Sequence, residues 1–186
     1  MNLKDVPELK IAILDLPSKE KDRLLLRLIN KDKTLVEHLH FQLLEDESDL
    51  RERIKIIQDK IDFQFNESNN LINQININRS HHQLLLTLKT LSGIVNYHTK
   101  ITRDKVSEFD LRKDIILESF DRYPYLFETY TTGTNAERLY KYQLGRLKLI
   151  QSLFDKFHDD LKYDYENDIE KINNFLKKTP ISFHLG

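Results

Sequence analysis

NAERLYKYQLGRLKLIQSLFDKFHDDLKYDYENDIEKINNFLKK, residues 135–178, decides the fold. It contains no proline and a single glycine, Gly145. Leu147, Ile150, Phe154, Phe157 and Leu161 follow one another at alternating steps of three and four, which aligns a single apolar stripe along a helix. One continuous helix of this length would span about 66 Å, roughly twice the diameter of a small domain. It must overhang its own core, break, or meet a partner. Beyond Leu161 the stripe steps by four and four through Tyr165 and Ile169 before reaching Ile172 and Leu176. Such a slip alters the local winding and predicts a bend near residue 165.

The rest of the chain shows the same helical period. The tail, 179–186, carries Ile181, Phe183 and Leu185 in alternation, and the loop 123–134 before the long helix is rich in aromatics. Two helices fill 81–122; Leu84, Leu88, Leu91, Val95 and His98 form the seam of the first, and Phe109, Ile116 and Phe120 mark the second, which Pro124 closes. Residues 66–80, NESNNLINQININRS, read as an Asn-rich loop or frayed helix, because asparagine amides compete for backbone groups. Residues 1–65 read as helical hairpins, with Ser18, Asp32 and Asp49 as N-caps. In the second helix Leu24, Leu25, Leu28 and Ile29 are expected to face inward. No segment alternates with period two over a sustained run. The expectation is a single all-α domain, 1–186, with six to seven helices in an antiparallel bundle.

Composition narrows the function classes. The 186 residues include 29 basic and 30 acidic side chains, a net charge of −1, and the chain is 39% hydrophobic. That balance suits a folded domain and offers no basic stripe for nucleic acid, so no nucleic-acid partner is expected. No apolar run approaches the roughly 18 residues of a membrane span. The absence of cysteine excludes disulfides, Cys-ligated zinc, iron–sulfur clusters and thiol catalysis. With no signal-peptide pattern at the N-terminus, a cytoplasmic location is expected.

Few constellations suggest chemistry. Glu37 and His40, and Asp155 and His158, each form an acid–x–x–His pair, a spacing that bundle proteins use to hold two metal ions. Both pairs also flank apolar stripes, where a half-exposed histidine and acid are ordinary. His98, on an apolar seam, reads as a core histidine with its pKa lowered by burial. The acids Asp46, Asp49 and Glu52, then Asp59 and Asp62, depart from the magnesium motifs of all-α nucleotide pyrophosphohydrolases and read as solvated helix faces. A helix-turn-helix over 18–45 would have a recognition helix without Lys or Arg. Thr131-Thr132-Gly133-Thr134 lacks a phosphate-loop lysine. No cofactor is indicated.

The aromatic group Phe120, Tyr123, Tyr125, Phe127 and Tyr130 admits two readings. It is a plug sealing one end of the bundle, or a partner-binding patch of the kind that anchors interfaces. Over its first 50 residues, in Leu16-Pro17-Ser18-Lys19-Glu20, KDRLLLRLINKD and EHLHFQLLEDE, the chain resembles a group of small uncharacterised bacterial helical proteins. The resemblance implies an all-α fold and carries no activity, ligand or catalytic residue. The function expected is a non-enzymatic interaction or structural module with a protein partner or homo-oligomer. The alternative is a carboxylate–histidine metal enzyme built on Glu37, His40, Asp155 and His158.

Overall fold

Short polar side chains start several of the helices. Asp32, Asn76 and Asp104 each accept a hydrogen bond from a backbone N–H three residues on, at 3.1, 3.0 and 2.7 Å, satisfying donors that a helix start leaves open. The computed structural model describes residues 2–128 and 133–177, and among these every regular element is helical. After a short 3-10 turn, Leu3–Asp5, come α1 (Pro7–Leu14), α2 (Ser18–Ile29), α3 (Lys33–Leu44), α4 (Glu47–Asn69), α5 (Ile77–Thr102), α6 (Lys105–Arg122), α7 (Tyr125–Glu128), α8 (Thr134–Phe154) and α9 (Asp159–Lys177). The all-α expectation holds. Two helices exceed the expected count: α7 is a single turn inside the aromatic loop, and the long C-terminal segment is two helices. Ser18 proves to be the first residue of α2 and makes no capping bond.

The chain divides into two compact units, Met1–Asp46 and Glu47–Gly186. The fourth helix, α4, belongs to the second unit. In the first unit α2 packs against α3.

The second unit is organised around α5, which packs against α4, α6 and α8. Its seam is buried along its length: Leu84, Leu88, Leu91, Val95 and His98 are all inaccessible to solvent or nearly so. Arg103, in the left-handed region at φ 54°, ends α5, and its N–H reaches Thr99 O. The chain then turns directly into α6. Across the α5–α6 contact the pairs run in opposite chain order, His98 meeting Ser107 and Arg112 meeting Asn96. The Asn-rich segment joins α4 to α5 without helix between residues 70 and 76. There Ser80 Oγ exchanges hydrogen bonds with the backbone of Asn73.

The C-terminal segment breaks at 155–158, ahead of the slip at Tyr165 that predicted a bend. Lys156 and Phe157 donate to carbonyls only three residues back, a tightening that ends α8, and α9 opens with Asp159 and Asp160 in its first turn. Carboxylates there complement the helix dipole. After the break α9 lies along α6: Tyr165 meets Asp110, Asp168 meets Lys113, and Phe175 stacks on Phe120 at 3.8 Å between ring centres. Phe157, within the break, turns into the core and meets Phe109 edge to face at 5.2 Å.

Candidate functional site

Two features of the molecule stand apart from ordinary packing. The first is a buried polar seam where α5, α6 and α8 meet. Glu108 and Arg112 lie one turn apart on α6, so their side chains meet on one face. Arg112 donates from Nε and Nη2 to Glu108 Oε1, at 3.1 and 2.9 Å, and from Nη2 to Asn96 Oδ1 at 2.8 Å. Burial pushes the Glu108 carboxyl up, but hydrogen bonds from Lys105 and Arg112 outweigh it and hold the group below its ordinary value. On the facing helix Tyr142 donates to Ser92 Oγ at 2.6 Å, and Arg146 lies over the Tyr142 ring at 5.2 Å. Gln143 is fully buried and donates from Nε2 to Ser119 Oγ at 2.9 Å. In the seam one carboxylate, Glu108, lies between the Arg112 guanidinium and the Lys105 ammonium. The seam suits holding helices in register and binding something small.

The second feature is the surface of the first unit. No apolar side chain of α1, α2 or α3 is buried. Ile11 and Leu14 on α1, Leu25 and Leu28 on α2, and Leu43 and Leu44 on α3 are exposed, the last two at 71% and 74%. This corrects the expectation that Leu25 and Leu28 face inward. A stripe at helical spacing shows which residues share a face, and not whether anything covers that face.

The residues considered for a metal centre fall in both units of the chain. Glu37 and His40 belong to the first unit, Asp155 and His158 to the second. His40 Nδ1 lies 2.9 Å from Glu45 Oε1. Asp155 and His158 do not share a helical turn, because the chain breaks between them: Asp155 caps the end of α8 and accepts from Gln151 Nε2, while His158 precedes α9. His158 Nδ1 lies 3.3 Å from Asp160 at the surface. Among the described residues no three His, Asp or Glu side chains gather as a metal-holding group. Asp59 pairs with Lys55 at 2.7 Å on an exposed face of α4.

Four of the five aromatic residues belong to the core of the second unit or pack against it. Phe120, Tyr123 and Phe127 are buried, Tyr125 is half-buried against the same core, and Tyr130 lies outside the described residues. Phe127 meets Phe120 edge to face at 5.0 Å, and Tyr123 donates to Asn69 Oδ1 at 2.6 Å. Burial raises the Tyr123 hydroxyl to about 12. Rings enclosed by their own chain have little surface left for a partner. The tail, 179–186, also lies outside the described residues.

Two histidines are structural. Burial lowers the pKa of His98, whose Nε2 is 2.9 Å from Ser107 Oγ. His81 is buried and its Nε2 is 3.0 Å from Leu126 O, the carbonyl that Tyr140 also reaches. Sequence reading passed over the Arg112–Gln143–Arg146 seam. The signal was present in Glu108 and Arg112, four residues apart on a helix whose apolar positions already fixed its inward face.

No protein-family model, curated protein or solved structure matches the chain. Among the described residues no helix is long and apolar enough to cross a membrane.

Proposed function

We propose that this chain is a non-enzymatic protein–protein interaction module, a cytoplasmic protein that docks another polypeptide, or a second copy of itself, onto α1–α3. The observation that carries the reading is the apolar surface of the first unit. Three short helices bearing Ile11, Leu14, Leu25, Leu28, Leu43 and Leu44 bury none of them. Helices of eight to twelve residues are marginal alone and take most of their stability from an apolar face that is covered. Contiguous exposed apolar surface marks interaction sites in folded proteins.

The second unit supports the same reading from the opposite direction. Its helices α4, α5, α6, α8 and α9 contribute to one hydrophobic core, suited to a scaffold. Its conspicuous polar groups are satisfied by neighbours or enclosed, and Phe120, Tyr123 and Phe127 are part of that core. Near-equal numbers of acids and bases favour a protein partner over nucleic acid.

Sedimentation velocity across a hundredfold concentration range, combined with tagged capture from the native host, tests the proposal. Self-association or a specific captured protein is expected, and either is lost in Leu25→Glu/Leu28→Glu. A strictly monomeric chain that captures no specific partner would refute it.

A further inference from the structure

Three buried polar atoms in the seam have no hydrogen-bond partner among the protein atoms: Arg112 Nη1, Gln143 Oε1 and Arg146 Nε. Arg112 is 6% exposed and Gln143 0%. All three residues line one small cavity of about 10 Å³ between α5, α6 and α8, completed by Leu88, Ser92 and Ile116 among others. Buried polar groups are almost always paired, so three orphans around one space call for a common partner.

The chemistry of that partner follows from the hydrogen-bond directions. Arg112 Nη1 and Arg146 Nε only donate, so the partner must accept twice. The Gln143 amide is fixed by its neighbour: Ser119 Oγ gives its own proton to Ile116 O at 2.7 Å, so it can only accept from Gln143, and Nε2 must face it. The carbonyl Oε1 is therefore the atom left toward the cavity, and it requires a donor. A chloride or carboxylate would satisfy the guanidinium groups and repel Oε1. A metal cation would be repelled by both arginines. The volume admits about one water molecule, and three bonds is the usual number for a buried water.

We infer that this cavity is a single-water site: the water accepts from Arg112 Nη1 and Arg146 Nε, donates to Gln143 Oε1, and so ties α6 to α8. The inference is independent of the docking surface on α1–α3.

The test is a high-resolution crystal structure of the full chain, with a second crystal soaked in bromide and measured at the bromine edge. In the wild type one ordered water is expected within hydrogen-bond distance of all three atoms, without an anomalous peak. In Gln143→Met, which keeps both arginine donors and removes the acceptor of the water's proton, the water density at the same place is expected to be weaker than in the wild type or absent. A bromide peak in the wild type, or a wild-type cavity with no density, overturns the assignment. Unchanged water density in the variant overturns the argument that Gln143 Oε1 takes the water's proton.

Discussion

Lys113 fastens α9 to α6, and removing its charge should loosen α9 selectively. Its Nζ lies 2.9 Å from Asp168, 3.4 Å from Asp110 and 3.6 Å from Asp114, and 5.3 Å from the centre of the Tyr165 ring. The Lys113 side chain is 12% exposed and that of Asp168 24%. An exposed pair contributes about 0–1 kcal/mol, whereas removing one partner of a fully buried pair costs about 3–5 kcal/mol. This pair is partly buried, Asp168 retains Lys171 and Asp110 retains the Tyr165 hydroxyl, so Lys113→Met should cost about 2–3 kcal/mol. For a chain of this size that is a fall in Tm of about 4–12 °C. Lys171, which also reaches Asp168 at 3.2 Å but is largely exposed, is the control. Lys171→Met should cost less than about 1 kcal/mol. Urea unfolding gives the energies, and hydrogen exchange locates the effect, with faster exchange expected in α9 than in α5. The pH dependence should change as well. The Lys113 hydrogen bond holds the Asp168 carboxyl below its ordinary 3.8. Its contribution is complete above that value and is lost as pH falls toward the lower folded value. Lys113→Met should flatten that acid limb. An energy within about 0.5 kcal/mol of wild type, or equal effects of the two lysine substitutions, would refute the reasoning.

Three further outcomes follow from the second unit. Arg112→Met leaves the buried Glu108 carboxylate with Lys105 alone and should cost about 3–5 kcal/mol in urea unfolding; Arg112→Met/Glu108→Met should recover much of it. His98 has a folded pKa below 6.5, so stability is whole above pH 6.5 and declines as pH falls below it toward the folded value. His98→Gln should remove that decline from a series of melts between pH 7 and 5. Gly145 lies within α8 with no atom inside 4 Å of where a Cβ would sit. Gly145→Ala should therefore raise stability by about 0.5–1 kcal/mol, read as a higher urea midpoint.

Periodicity made the inner helices legible. The seam from Leu84 to His98 was readable because one stripe at a period of 3.6 admits one buried face, and the same holds for Leu147 and Ile150 on α8. The break at 155–158 was not. Its stripe runs through unbroken, since Phe154, Phe157 and Leu161 face the same core from both sides of the reversal. The local signal was Asp159-Asp160, a first-turn acid pair that reads equally as solvated charge. The start of α5 at Ile77 was hidden for a similar reason, because Asn76 is one asparagine among several and only its bond to Arg79 N singles it out. The apolar side chains of α1–α3 were visible in the sequence and their exposure was not, because whether a stripe is covered depends on which other elements reach it. The polar seam required tertiary structure: Glu108 and Arg112 are neighbours on one helix, whereas Gln143 and Arg146 arrive from another.

The docking role of α1–α3 is tested most directly by one comparative capture. Tagged wild type, Leu25→Glu/Leu28→Glu and the surface control Tyr163→Glu are each exposed to native-host lysate containing an untagged second copy, and bound proteins are quantified by mass spectrometry. The expected result is one partner, foreign or the second copy, held equally by wild type and Tyr163→Glu and lost from the double variant while its α-helical content is unchanged. Equal capture by all three proteins, or no specific capture by wild type, would contradict the account.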